Sequence, residues 1–396
     1  VSPLQVDTLK ETKIPDQWDL QSCIDYAKEQ NITIRKNRIT AVSTQIDVKT
    51  AKAALFPSLS FSTGHQVVNR PYQETSSRVS GSEIISSNSK TSYNGNYGLN
   101  ASWTLYNGNK RLKTIQQEKL NNQMAELDVA TSENNIQESI AQVYIQILYA
   151  AESVKVNENT LQVSIAQRDR GQELLNAGSI AKSDLAQLEA QVSTDRYQLV
   201  TAQATLEDYK LQLKQLLELD GENEMNIYLP ALSDENVLAP LPTKRDVYIS
   251  ALSLRPEIEA SKLNVEASEL GINIAKSSYF PTISLSAGIG TNHTSGSDFT
   301  FGEQVKNGWN NSIGLSVSVP IFNNRQTKSA VQKAKLQYET SMLSLLDEQK
   351  ALYKTIESLW LDANSAQQRY AAANEKLKST QISYELISEQ FNLGMK

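Results

Sequence analysis

The sequence predicts a mixed α/β membrane protein, built from a duplicated unit that joins a β-hairpin to very long antiparallel coiled-coil helices. Three observations predict it: two segments recur along the chain, each alternates apolar and polar residues, and the stretches between them run far without Pro. The first repeated segment is FPSLSFSTG, which begins at Phe56 and has the counterpart FPTISLSAG 224 residues later, at Phe280. The second is YGLNASWTLYNGN, which begins at Tyr97 and has the counterpart IGLSVSVPIFNNR 216 residues later, at Ile313. We therefore expect one plan repeated, with loops of unequal length at 65–96 and 289–312.

The placement of Gly and Pro along the chain predicts the order of its segments. Each copy should run from short helices through a hairpin to long helices, because Pro57 and Pro281 mark a switch from helix to strand. The expected segments are 1–16, an extended N-terminal segment; 17–55, helices; 56–107, the first hairpin with its outer loop; 108–219, a long helical hairpin; 220–243, a connector; 244–279, helices; 280–323, the second hairpin with its outer loop; and 324–396, a second long helix.

The alternating segments are predicted to be strands with one apolar and one polar face. A hairpin lying on a soluble core would also alternate in this way. A membrane barrel is favoured because the strands reach the roughly 9–11 residues that cross a bilayer. The polar face is small and uncharged, which suits a water-filled bore. We assign to this lumen face Ser58, Ser60, Ser62, Asn94, Asn96, Asn100, Ser102, Thr282, Ser284, Ser286, Ser312, Ser316 and Ser318.

Aromatic residues lie near the ends of the predicted strands. Outer-membrane barrels carry such residues as girdles at the two membrane interfaces. We expect a girdle formed by Phe56, Tyr93, Trp103, Tyr106, Phe280, Trp309 and Phe322.

Four strands cannot close a barrel, and open sheet edges are not tolerated in lipid because each unpaired backbone group costs several kcal/mol. The chain should therefore associate with further copies. Two copies would supply eight strands and three would supply twelve. An eight-stranded barrel is filled by its own side chains, so we expect a homotrimer with a 12-stranded barrel.

The predicted helices are unusually long. The stretch from Lys110 to Asn176 lacks Pro, and roughly 67 residues span about 100 Å at 1.5 Å per residue. After a break at Gly178, apolar residues from Leu185 to Leu216 recur at steps of three and four, which is typical of a coiled coil. The two helices should pair antiparallel.

The turn between the long helices has its own signals. Gly178 suits the left-handed position that ends a helix, and Ser183 or Asp184 can cap the next one. The counterpart of this turn in the second copy is Gly394, at the offset of 216 residues. We expect about 40 residues of a second return helix to be missing after it, by comparison with the first copy.

Several other classes of protein have little support. The net charge is −6 and the sequence has no run of basic residues, so it does not predict a surface that binds nucleic acid. No stretch approaches the roughly 18 apolar residues of a transmembrane helix. Cys23 is the only cysteine and is expected to be buried in a helix face. His65 and His293 have no cysteine partner or metal motif. They are expected to be solvated loop or lumen residues, and we expect neither a cofactor nor catalysis.

The chain resembles the TolC family of outer-membrane efflux proteins in the order and spacing of its motifs. The motifs are the FPSLS and FPTIS segments, the WTLYNG and VPIFNN strand ends and the LLNAGSIAKSDLAQLEAQ turn. The resemblance covers nearly the whole chain from Trp18. It implies a homotrimer in the bacterial outer membrane, extending into the periplasm and contacting outer-membrane lipid. It also implies a periplasmic adaptor protein and an inner-membrane transporter as partners, and small molecules as cargo.

Carried over by position, the resemblance implies that the connection between the two long helices of the first copy belongs to the end that docks the adaptor. Family gates often use acidic residues just after the second turn, which would follow Lys396; Asp184 is only the first-copy counterpart. The implied docking residues are Gly178, Ser179, Ile180, Ala181, Lys182, Ser183, Asp184, Leu185 and Gly394.

Two alternatives share much of this evidence. Protein export of the type I kind would use the same conduit. A secreted trimeric coiled-coil fibre or adhesin would use the helices as a stalk and the hairpins as a head, and it would need no detergent. A soluble enzyme ranks last, because no acid/base constellation is present.

Overall fold

The structure, a computed structural model, describes residues 15–72, 76–80, 83–87, 90–220, 225–230, 237–295, 297 and 299–393. The chain forms two compact units. The first comprises the described residues of Val1–Val42, Met124–Ala260 and Asp347–Lys396, and the second comprises those of Ser43–Gln123 and Ser261–Leu346. Gly394 and nearly all of the expected N-terminal segment lie outside the described residues.

Long helices dominate the fold, as the sequence predicts. Two of them, α3 and α8, have 67 residues each and start at equivalent positions of the two copies. Within the described residues, no helix is both long enough and apolar enough to span a bilayer. The helices are α1 (Leu20–Gln30), α2 (Ile32–Ala53), α3 (Lys110–Asn176), α4 (Lys182–Leu216), α5 (Lys244–Leu254), α6 (Pro256–Lys276), α7 (Phe301–Asn307) and α8 (Gln326–Asn392).

The second unit contains an antiparallel four-stranded sheet in the order β1-β4-β5-β6. Each copy supplies one hairpin, and the pairing of β4 with β5 joins the two copies. A separate hairpin, β2 with β3, lies between β1 and β4. The strands are β1 (Ser58–Asn69), β2 (Ser76–Ser80), β3 (Glu83–Ser87), β4 (Thr91–Asn107), β5 (Thr282–Thr294) and β6 (Asn310–Ser318).

The outer loops differ from the sequence prediction. The strands β1 and β4 continue well into the segment 65–96, and the β2–β3 hairpin occupies part of what is left. In the second loop, α7 takes the place that β6 would need to continue along β5. There the Thr291 hydroxyl donates to the Val305 carbonyl at 2.7 Å, and the Thr294 amide donates to Gln304 Oε1 at 2.9 Å. This short helix therefore covers an edge that would otherwise be open.

The junction between strand and long helix has the same geometry in both copies. Gly108 and Asn109 end the first hairpin with φ values of +67° and +63°, and their counterparts Asn324 and Arg325 have +51° and +66°. At Gly108 a Cβ atom would lie 2.6 Å from the Ser277 carbonyl oxygen, so the first copy needs glycine there. The duplicated turn fixes the direction in which each long helix leaves the sheet.

The Arg111 side chain reinforces the first junction. Its guanidinium donates to the carbonyl of Ala54 at 2.8 Å and also to the carbonyl of Thr104. The Trp103 indole donates to the Leu55 carbonyl at 2.7 Å. Because the last carbonyls of a helix have no partner within the helix, these donors complete the end of α2 while holding it to β4.

The first unit has its main core where α1, α3 and α4 meet. Asp19 caps α1 by accepting from the Ser22 amide at 2.7 Å. Burial raises the pKa of the Cys23 thiol to about 12, with Asp19 adding to the shift. The expectation of a buried cysteine is confirmed. The fully buried side chains of this core include Trp18, Cys23, Ile140, Ile147, Leu213 and Leu217.

Equivalent aromatic residues tie extended segments to the two long helices. Trp18 pairs with residues of the connector, donating to Asn226 and accepting from Tyr228, both at 2.8 Å. The Tyr144 hydroxyl on α3 donates to the Tyr228 carbonyl at 2.5 Å. On α8 the Trp360 indole, at the same position of the second copy, donates to the Pro242 carbonyl at 3.1 Å. The connector is therefore hydrogen-bonded to α3 and α8 at equivalent positions of the two copies.

We predict that Gly108→Ala destabilises the protein more than Gly178→Ala does. Both residues have a positive φ, which costs a non-glycine residue about 1–2 kcal/mol, but only Gly108 also lacks space, since nothing lies within 4 Å of a Cβ at Gly178. Urea unfolding of the detergent-solubilised protein would measure the difference. Gly302→Ala, at an open helical position, is the control and should not lower stability, because alanine is the better helix former by up to about 1 kcal/mol. Equal losses at 108 and 178 would contradict this packing.

Candidate functional site: a two-faced sheet and a helix turn

The four-stranded sheet separates polar from apolar side chains. Rows of residues facing each other across the strands follow from the register: Ser58, Ser102 and Ser286 form one row. Thr104, Ser284 and Ser316 form another. Since successive residues of a strand point to opposite faces, all thirteen residues assigned to the lumen lie on one face of the sheet.

The opposite face is apolar and exposed in the single chain. One row consists of Leu59, Ala101, Ala287 and Ile313. Ile313 is 83% exposed. A soluble protein rarely leaves a contiguous apolar face of this kind uncovered, so this face requires an apolar environment.

A β-bulge changes the alternation at the lower end of β4. The register passes from Thr104 opposite Ser284 to Tyr106 opposite Ile283, which leaves Leu105 as the extra residue. Strict alternation would place Tyr106 on the polar face, and the bulge breaks that alternation at the last residues of the strand. The bulge moves Tyr106 onto the apolar face, where a girdle residue needs to be.

The predicted girdle residues fall into two groups along the strands. Tyr93 and Trp309 lie at the ends of β4 and β6 that adjoin the outer loops. The other five lie at the opposite ends of the strands, which adjoin the helices α2, α3, α6 and α8. These are Phe56, Trp103, Tyr106, Phe280 and Phe322.

The two histidines lie in strands and not in the loops or on the polar face, which corrects the sequence-based expectation. His65 and His293 both face Gly95 in the register, on the face that carries Leu59 and Ile313. His65 Nδ1 lies 2.6 Å from the Tyr93 hydroxyl. In the alternating sequence, His65 falls on the same face as Phe61, and this spacing could have predicted its place on the apolar face.

These rings belong to a cluster that the sequence did not reveal. His293 packs against Phe301 of α7 with ring centroids 5.0 Å apart, and Tyr93 lies 5.7 Å from His293. Tyr97 contacts His65 edge-on at 5.5 Å. The cluster extends the aromatic group at the outer-loop end of the sheet.

The turn between α3 and α4 is a Schellman motif. The Gly178 amide donates to the Leu175 carbonyl at 2.9 Å and the Ser179 amide donates to the Leu174 carbonyl at 2.8 Å. Gly178 has φ +74°, as this motif requires. Leu185 is buried and Ile180 is partly buried, while the rest of the turn from Gly178 to Asp184 is exposed.

The cap of α4 differs from the prediction. The N-cap residue is Ala181, and neither Ser183 nor Asp184 takes that position. Asp184, three residues later, reaches back so that its Oδ2 accepts from the Ala181 amide at 3.1 Å. This is the carboxylate half of a capping box, and it places negative charge at the positive end of the helix dipole.

Close packing behind the turn depends on Gly171 of α3. A Cβ atom there would lie 2.4 Å from Leu188 Cδ1 and 3.7 Å from Leu185 Cδ1 of α4. The glycine lets the two helices approach closely just before they turn. A lone glycine inside a helical pattern was the available signal, and the sequence analysis did not use it.

Comparison with known proteins gives a consistent match. A family model described as Outer membrane efflux protein matches residues 23–218 and 247–396. The outer membrane efflux protein BepC of Brucella suis is 24% identical over 67% of this chain, and the outer membrane protein TolC of Escherichia coli K12 is 23% identical over 65%. The chain spans 55% and 52% of the lengths of these two relatives.

The fold comparison agrees. The crystal structure of the outer membrane protein VceC from Vibrio cholerae superposes with a TM-score of 0.75, covering 94% of this chain and 85% of that chain at 16% identity.

We predict that Asp184→Ala weakens the start of α4 locally. Loss of the capping carboxylate should cost about 0.5–1 kcal/mol, which corresponds to roughly two- to fivefold faster hydrogen exchange of the Ala181 amide. Asp184→Asn keeps an acceptor and should give a smaller effect, and Lys182→Ala serves as the control. Unchanged exchange in Asp184→Ala would show that the carboxylate does not hold the turn.

Proposed function

Since the chain belongs to the outer membrane efflux protein family and is an outer-membrane protein, we propose that it forms the exit duct of a tripartite efflux pump for small molecules. The observation that carries this proposal is the sheet with one polar and one exposed apolar face, joined to very long helices. The polar face would line a water-filled passage and the apolar face would contact lipid. The long helices would continue the duct into the periplasm.

The proposed duct is a homotrimer. The strands β1 and β6 are the two edges of the sheet, and they run antiparallel to each other because three antiparallel pairings separate them. The β6 strand of one copy can therefore pair antiparallel with β1 of the next. Three copies give twelve strands, whereas eight would leave the interior filled by side chains.

The spacing of the aromatic groups supports a membrane-spanning barrel. Tyr93 and Trp103 are ten residues apart in β4. That separation is about 33 Å along a strand and about 25 Å across the bilayer at a tilt of roughly 40°. A height of about 25 Å is that of the apolar band in outer-membrane barrels, so the two groups would lie at the two interfaces.

The proposed partners are a periplasmic adaptor protein and an inner-membrane transporter. The turn from Gly178 to Leu185 would contact the adaptor. Support comes from its geometry: a fixed backbone presents exposed Ser179, Lys182 and Ser183 above an anchored Leu185. A rigid turn with exposed side chains loses little conformational entropy when it binds.

We predict that the full-length protein inserted in planar bilayers conducts in discrete steps. A protein that needs no detergent would support the fibre alternative and contradict the barrel. A protein that inserts stably and conducts under no condition, including added adaptor, would contradict the duct.

We predict opposite responses from two neighbouring residues of β6. Leu315→Lys places a charge on the lipid face and should destabilise the folded protein by about 2–4 kcal/mol near the middle of the membrane. Ser316→Lys places the same charge on the polar face and should cost less than about 1 kcal/mol. Urea titration of folding into lipid vesicles would compare the two. Equal losses, or a larger loss at Ser316, would reverse the assignment of the faces.

A further inference from the structure

The polar face of the sheet carries no ionisable side chain. Among the described strands β1, β4, β5 and β6 there is no Asp, Glu, Lys or Arg, although the chain contains 38 Lys and Arg and 44 acidic residues. The two histidines and the tyrosines of these strands lie on the apolar face. What faces the proposed passage is Ser, Thr, Asn, Gln and Gly, with Val68 as the single apolar residue.

The hydrogen-bonding groups of this face bond to the wall itself. The Ser58 and Ser102 hydroxyls lie 3.0 Å apart, and the Asn100 amide donates to the Ser62 hydroxyl at 3.4 Å. The Thr294 hydroxyl donates to Asn94 Oδ1 at 2.6 Å. Groups that already have partners within the wall gain less by binding a passing solute.

Glycines let these side chains lie flat. A Cβ atom on Gly64 would lie 2.7 Å from Asn96 Oδ1, so the amide occupies the space above the glycine. Ser312 lies over Gly288 and Ser286 over Gly314 in the same way, at 3.0 and 3.1 Å. The wall is therefore smooth as well as uncharged.

We propose that the strand section of the duct is a charge-neutral sleeve of low affinity, which passes anionic, cationic and neutral small molecules alike. This inference rests on the proposed function. It assigns any selection of cargo by charge to the helical part or the partners, because the sleeve has no group that could select by charge or change its charge with pH.

The row of Ser62, Gly98 and Gly290 is the place to test the sleeve, because fixed charges are remote from it along β1 and β4. The charged residues of α7, which lies beside Thr291 at the end of this row, are Glu303 and Lys306, and they have opposite signs. Ser62 lies eight residues from Arg70, which is about 26 Å along the strand. Gly98 lies six residues from Thr104, whose carbonyl binds Arg111, about 20 Å away. Both distances exceed the Debye length of about 10 Å at 0.1 M salt.

The experiment compares two thiol reagents of similar size on Ser62→Cys trimers in lipid vesicles. One is the cationic trimethylammonium-ethyl methanethiosulfonate and the other is the anionic sulfonatoethyl reagent, each normalised to its rate with a small free thiol. Native Cys23 is fully buried and its pKa is raised to about 12, so it contributes no background in the folded protein. We expect a rate ratio within about threefold of one, since screened charges at these distances contribute little.

Two double variants, each adding one substitution to Ser62→Cys, show how strongly a single nearby charge changes the rate ratio. Gly98→Asp, directly opposite residue 62 in the register, should shift the ratio about tenfold in favour of the cationic reagent at a separation of roughly 5–6 Å. Gly98→Asn has nearly the same size without the charge and should leave the ratio unchanged. The space allows both, since the nearest atoms to a Cβ at Gly98 are 3.4 Å or more away.

The outcomes separate the two proposals. A ratio above tenfold in Ser62→Cys alone would overturn the neutral sleeve while leaving a water-filled duct in place. Reaction with neither reagent before unfolding would show that Ser62 does not face water, which would overturn the lumen assignment and with it the duct.

Discussion

The whole architecture depends on the backbone hydrogen bonds at the two edges of the sheet. In hydrocarbon, each unpaired N–H or C=O group costs several kcal/mol, and one side of β1 and one side of β6 have no partner within the described chain. Where β6 is too short to cover β5, α7 lies along β5 instead: Gln304 accepts from the Thr294 backbone amide, and the Val305 carbonyl accepts from the Thr291 hydroxyl. No such cover exists for β1 and β6 among the described residues. The two faces, the aromatic groups and the need for further copies all follow from placing this sheet in a membrane.

Duplication explains why one chain supplies two similar hairpins and two long helices, and the structure shows which parts stayed alike. The left-handed turns at Gly108 and Asn324, and the aromatic donors Tyr144 and Trp360, keep equivalent places and roles. The copies differ where Arg111 binds the end of α2, because Thr327 occupies its counterpart position. The shared turns set the direction of the helices, and each copy reinforces its junction by a different contact, since in the second copy the Asn323 amide donates to the Thr327 hydroxyl.

The sequence predicted the long helices, the four strands and their two faces because each depends on a local period that burial imposes. It did not predict α7, the β2–β3 hairpin or the bulge beside Thr104, since those depend on where a neighbouring strand ends. The aromatic cluster of His65, Tyr93 and Phe301 depends on contacts between distant segments. The role of Asp184 was half predicted: a cap was expected, but the carboxylate acts from the third helical position because Ala181 begins the helix.

The most direct test of the central claim is native mass spectrometry of the full-length protein released from detergent. Closure of the sheet edges by further copies predicts a single species of three times the mass of one full-length chain, without smaller species at concentrations that preserve the fold. A folded monomer, or a dimer with eight strands, would show that the edges of β1 and β6 are satisfied in another way and would contradict the account.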